Sequence, residues 1–234
     1  MHRTQLNVFK EVRRKLGQKA LDSIMYLVVY IVLSVLVMSS SSAMVSPQRA
    51  LNFFSTVGKL KTLKRTGWVD HNVSMPESVA DHMYRMTMLC FMITDPAVDK
   101  DRLMKICLVH DLAEATVGDI TPPEVSGVSK EEKRALELKA LSDIVKDIDN
   151  EEIGNEIFGL WNEYEDAETP LAKVAKQLDK YEMIVQADEY EKAHSAEKKR
   201  LDSFFKSTEG YFTHPEISEW DNLLRSTRDA RWAE

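Results

Sequence analysis

The chain has 234 residues, 44% of them hydrophobic and 29% charged, with a net charge of −7. That mix excludes global disorder and low-complexity classes, and the length suffices for a sizeable core without staples. The acidic balance excludes general binding to a nucleic-acid polymer, which needs a basic footprint.

The charge is uneven. Residues 1–45 carry six basic and two acidic groups, a net +4, which leaves −11 on the rest of the −7 total. Ile24 to Met38 is an apolar run, followed by Ser39 to Ser42 and Ala43. This grammar has three readings: a membrane anchor spanning about residues 20–40, a cleaved targeting segment, or passenger sequence ahead of an internal start at Met44. Localisation stays open between them. The two cysteines, Cys90 and Cys107, make no disulfide framework and form no CxxC pair, so buried thiols of a reducing compartment are expected.

From residue 46 to 234 the apolar spacing is three and four, without sustained alternation, so one all-α domain is expected after the leader of residues 1–45. Helices are expected near 48–63, 78–94, 99–116, 129–147, 151–165, 170–192, 199–207 and 216–229. Ser129 with Glu132 reads as a capping box. Gly118 to Ser129, with two prolines and two glycines, reads as the principal loop.

Three helices carry polar residues on faces that should be buried. His82 lies in the stripe Val79, Met83, Met86. His110 and Glu114 lie in the stripe Leu103, Ile106, Cys107, with Asp111 beside them. Glu182 lies in the stripe Leu171, Val174, Leu178, with Asp179 at its margin. Buried imidazoles and carboxylates are costly unless paired or ligating a metal. Two of each suit a divalent ion such as Mn, Co, Fe, Zn or Mg. Each alone reads better as a satisfied core residue; their coincidence on three helices is what raises a site to an equal reading.

The ordered set His82, His110-Asp111, Asp179 resembles the H…HD…D signature of the HD-domain metal-dependent phosphohydrolases. The flanking words are more specific: KRTGW (64–68), PESVADHMYRM (76–86), LVHDLAEATVGDITP (108–122) and KQLDKYEMIVQADEY (176–190) are similar to the HD-domain-containing protein 2 group, which is related to bacterial 5′-deoxynucleotidases. The resemblance runs from about Leu51 to about Pro215 and leaves out residues 1–45. It implies an HD-domain helical bundle around a metal site, a divalent metal held by His82, His110, Asp111 and Asp179, and a homodimer. It implies acid/base work for Glu114 and Asp119, a second ion near Glu114, Asp119 and the Ile120 carbonyl, and substrate contacts from Arg65, Trp68, Asp119, Ile120 and Thr121. Arg65 and Trp68 resemble an Arg-Trp pair that orients phosphate and nucleoside, here separated by Thr66 and Gly67. The implied activity is hydrolysis of (deoxy)ribonucleoside 5′-monophosphates, so the expected partner is a small nucleotide. The alternatives are another HD phosphohydrolase (a phosphodiesterase or a triphosphate or alarmone hydrolase) and a non-catalytic metal-stabilised binding module.

The remaining features take plainer readings. Glu77 and Asp81 read as helix N-terminal residues. Met83, Met86, Met88 and Met92 read as core. His71, His194, His214 and the run 197–200 read as surface, and Trp161 and Tyr164 as packing or interface residues.

Overall fold

The structure, a computed structural model, describes residue 23 and residues 25–27, 44–194 and 200–233. The apolar run 24–38 lies almost wholly outside them, as does most of the run 197–200. Among the described residues no helix is long and apolar enough to cross a membrane. Val45–Glu234 form one compact unit and Met1–Met44 another.

Among the described residues of the Val45–Glu234 unit the structure is helical, without a strand: α1 (Pro47–Lys59), α2 (Thr66–Asp70), α3 (Val79–Leu89) continued by a 3₁₀ turn (Cys90–Met92), α4 (Lys100–Val109), α5 (Glu114–Val117), α6 (Pro123–Ser126), α7 (Lys130–Lys146), α8 (Glu151–Asp166), α9 (Pro170–Ala193), α10 (Asp202–Lys206) and α11 (Pro215–Ala233). The ends follow local chemistry. Ser78 and Asp81 cap α3 reciprocally, as Ser129 and Glu132 cap α7. Thr169 accepts from the Ala172 N–H and Pro170 opens α9. Ala167, at φ 52°, ends α8 in the left-handed conformation.

The expected helix over 99–116 is not continuous. After Val109 the ladder shortens to i→i−3 bonds: Leu112 N–H to Val109 O (3.0 Å), Glu114 N–H to Asp111 O (3.0 Å) and Ala115 N–H to Leu112 O (3.2 Å). A tighter turn nearly eclipses residues three apart, so Asp111 and Glu114 come onto one side. The expected loop from Gly118 holds the short helix α6, and α2 is an element that the spacing did not suggest.

The 24-residue α9 is the spine and packs on α3, α4, α8 and α11. One core cluster joins Met86, Ile106, Leu178 and Ile184; a second joins Leu60, Val79, Leu141 and Trp161. Cys90 and Cys107 are buried free thiols with their sulfurs 3.5 Å apart. Met83 and Met86 are core as expected, but Met88 and Met92 are exposed, each one turn further along the outer face that begins with exposed Tyr84. Trp161 and Tyr164 are packed inside the fold, not displayed for a partner. His214, expected at the surface, has a side chain only 8% exposed, close to Asp95.

Candidate metal and phosphate site

The fold brings His82 from α3, His110 and Asp111 from the end of α4 and Asp179 from α9 together. His82 Nε2 lies 3.3 Å from Asp179 Oδ1 and 3.8 Å from Asp111 Oδ2. His110 Nε2 lies 3.0 Å from Asp111 Oδ2. One ligand atom each from His82, His110 and Asp111 fall within 4.8 Å of one another. Both Nε2 atoms are buried and lack a hydrogen-bond partner. Two orphaned imidazole nitrogens facing two carboxylates form a donor set that suits a divalent cation. The residues present therefore fit the metal that the motif implies.

The opposite nitrogens are anchored. His110 Nδ1 is 2.9 Å from the Cys107 carbonyl, which can only accept, so Nδ1 carries the proton and Nε2 is left bare. His82 Nδ1 meets the Glu182 carboxylate in a short contact. Tyr164 donates to Asp179 Oδ2 at 3.0 Å, and its ring lies tilted against that of His110 with centroids 4.7 Å apart.

Arg65 reaches this cluster because an isolated antiparallel bridge pairs Lys64 with Ser78, setting the segment ahead of α2 beside the start of α3. Its guanidinium lies 3.4 Å from Asp111 and 4.0 Å from Asp179. Burial works against its charge, but Asp111, Asp119, Asp179 and Glu114 outweigh that and hold it firmly cationic. Asp111 is pushed the other way. Burial raises it, yet His110, Arg65 and His82 overcome burial and hold its carboxyl well below the usual range.

Glu114 is 3% exposed. Burial first, then the charges of Asp111 and Asp119, push its carboxyl well above the ordinary range despite Arg65 and Lys133. Asp119 sits in the returning loop. Gly118 makes that return at φ 83°, ψ 168°, a conformation open mainly to glycine. Asp119 Oδ2 accepts the Thr66 N–H at 2.7 Å, and its carbonyl accepts the Thr66 hydroxyl at 2.7 Å. The loop is thereby fastened beside Arg65.

Three expected substrate or ion contacts take other partners. Trp68 is 2% exposed, with Phe204 at 4.4 Å and Tyr190 at 5.3 Å from its ring, and it donates to Glu77 at 2.9 Å. Its faces are occupied, because two intervening residues wind α2 and turn the indole into the core. The Ile120 carbonyl accepts the Lys133 ammonium at 3.0 Å, so a cation of the chain already stands where a second ion was expected. The Thr121 carbonyl accepts the Ser126 hydroxyl at 2.9 Å and shapes the loop.

Three residues of the site carried no functional signal that the sequence pattern made plain, and a fourth carried only its placement. Lys133 looked like any charge on an exposed helix. Glu77 looked like a dipole-favoured N-terminal residue; its carboxyl is pushed up to about 7 by burial, then by Glu182. Tyr164 looked like packing. Glu182 stood in the buried stripe, and that placement was the available signal.

Comparison with known proteins agrees with this geometry. The family model described as HD domain matches residues 57–219. The chain is 50% identical over 188 residues to the 5′-deoxynucleotidase HDDC2 of Dictyostelium discoideum, covering 76% of this chain and 97% of that one. It is 44% identical to the human protein of the same name, covering 78% and 88%. The solved structure of the HD domain-containing protein YGK1 of Saccharomyces cerevisiae superposes with a TM-score of 0.62 at 29% identity, over 80% of this chain and 90% of that one. By the matched span and these identities, the chain belongs to the HD-domain family.

Proposed function

We propose that the chain is a divalent-metal-dependent 5′-nucleotidase, a phosphoric monoester hydrolase that converts deoxyribonucleoside 5′-monophosphates to nucleoside and phosphate. The Dictyostelium and human relatives carry that activity in their names and align over three quarters of this chain. One observation carries the reading: two unpartnered Nε2 atoms converge on Asp111, with the buried Glu114 carboxyl, pushed above its ordinary range, and a guanidinium beside them.

His82, His110, Asp111 and Asp179 would hold the ion. When bound, it would lower the pKa of a water from about 15.7 toward 7 and offset phosphoryl charge. Arg65 binds the phosphoryl oxygens with a planar fork that is always charged. Glu114, whose carboxyl burial and the neighbouring carboxylates push upward, donates its proton to the 5′-oxygen as the P–O bond breaks. Asp119, anchored by Thr66, takes the proton that the attacking water releases. Arg65 and Lys133 are the cations that the structure sets near Glu114, a modest complement that favours a monophosphate over longer phosphate chains.

Residues 46–234 are the hydrolase domain in this reading, and residues 1–45 are a leader without a part in the chemistry. A homodimer belongs to it too. Tyr84, Met88, Phe91 and Met92 are exposed along α3 and its 3₁₀ turn and offer an apolar face, and light scattering on the purified chain checks it.

The test is phosphate release from ribo- and deoxyribonucleoside mono-, di- and triphosphates, by protein stripped of metal and reloaded with Mn, Co, Mg or Zn. Metal-dependent release from deoxymonophosphates is expected. Release only from diesters or longer phosphates would move the chain to another HD phosphohydrolase activity. No release with any metal would leave a binding module.

A further inference from the structure

His82 and Glu182 are both 0% exposed. The His82 ring presents Nε2 to Asp179 and Asp111, and Nδ1 to a Glu182 oxygen. An ionised carboxylate only accepts, so it keeps a proton on Nδ1, and the proton that a divalent ion displaces is the one on Nε2, which faces the site.

Glu182 is itself gripped. Arg85 donates to its other oxygen through Nε at 2.8 Å and approaches with Nη2 at 2.7 Å. The same guanidinium donates to Gln186 and Glu189, each at 2.6 Å. Residues 182, 186 and 189 fall on successive turns of α9, so one arginine of α3 is clamped along the helix that also carries Asp179. Glu77, His82 and Glu182 also lie within 4.8 Å of one another. That group is not a second metal site, because Arg85 already supplies the positive charge at Glu182.

We propose that Glu182, backed by Arg85, is a positioning residue that fixes the tautomer and ring orientation of His82 for the divalent ion. This role rests on the metal site formed by His82, His110, Asp111 and Asp179 and not on the identity of the substrate. Partners that orient a ligating histidine in this way typically govern metal affinity by about 10–100-fold.

The full chain and its Glu182→Gln variant are stripped of metal, and each is titrated calorimetrically with Mn2+ alone. The metal-free proteins are also compared by NMR after labelling with [15N]histidine. The expected result is a Kd for Mn2+ raised about 10–100-fold, a metal-free melting temperature within a few degrees of wild type, and loss of the downfield His82 Nδ1–H resonance. A Kd within about threefold of wild type would overturn the proposal, as would a wild-type His82 that is protonated only on Nε2. If Glu182→Gln does not fold, Glu182→Asp decides. It keeps the charge but draws it back one methylene, so a weaker Kd is expected and an unchanged one overturns the proposal. A wild type that binds no Mn2+ overturns the proposal together with the metal site. A wild type that binds Mn2+ but releases no phosphate overturns only the nucleotidase reading.

Discussion

The two halves of the site hold their histidines by different means. On the α4 side everything is local: His110 is anchored by the carbonyl of Cys107, three residues back, and Asp111 and Glu114 follow within one tightened turn. On the α3–α9 side nothing is local: His82 depends on Glu182, 100 positions away, and Glu182 depends on Arg85. A backbone anchor cannot be removed by substitution and brings no charge. A carboxylate anchor needs a packed partner helix and a compensating cation, and it makes the ring a stronger donor. The local half can form with its helix, whereas the distant half forms only when α3 and α9 dock.

The largest effect is expected in the local half. Glu114→Gln keeps the side chain's size but cannot give up a proton to the leaving oxygen. Turnover should fall about 10²–10⁴-fold while bound metal stays unchanged. Single-turnover kinetics with metal analysis on the same sample checks this, and intact turnover would remove Glu114 from the chemistry.

Charge should distinguish the halves through pH. In the metal-free protein burial and Arg65 pull His82 down, but Glu182 and Asp179 hold it at about 9, against 6.5 in the unfolded chain. A raised folded pKa contributes stability that is fully present below pH 6.5 and is lost as pH climbs through 9. Urea melts in EDTA at pH 6 and pH 9 should therefore show a weaker protein at the higher pH. Saturating Mn2+, which replaces the His82 proton, should flatten that loss. Equal metal-free stability at the two pH values would break the account of the α3–α9 half.

Smaller effects sharpen the contrast. Tyr164→Phe removes the hydroxyl donor to Asp179 and should cost about 1 kcal/mol in denaturant melts, with a modest weakening of Mn2+ binding. Cys107→Ala should lose about 1 kcal/mol of stability as a core truncation, yet leave the Mn2+ Kd unchanged, since the carbonyl that anchors His110 remains. A large change in Kd would mean that the α4 anchor is not purely local.

Much of the fold was legible because helix ends are written in neighbouring residues. Ser129 with Glu132 and the break after Asp166 are local chemistry, and both stand where the spacing put them. The break after Val109 was not legible, because Leu112 to Val117 keep helical spacing while the site draws the turn tight. The surroundings of Trp68 were not legible for a related reason. Its place beside Arg65 in the chain is local, but the aromatic rings that enclose it come from α9 and α10.

By itself the sequence determined which side chains had to be explained. His82, His110, Glu114 and Glu182 interrupt apolar stripes, and the cost of burying them unpaired is a property of the residues wherever they fold. Only the tertiary structure decided what each one does. The carboxyl of Glu114 is pushed up and that of Glu182 is held down, although both are buried glutamates. The difference is their neighbours: Asp111 and Asp119 crowd Glu114 with like charge, while His82 and Arg85 surround Glu182 with opposite charge. Those neighbours come from elements far apart in the chain, and the Coulomb energy that separates the two glutamates exists only at the distances that packing sets.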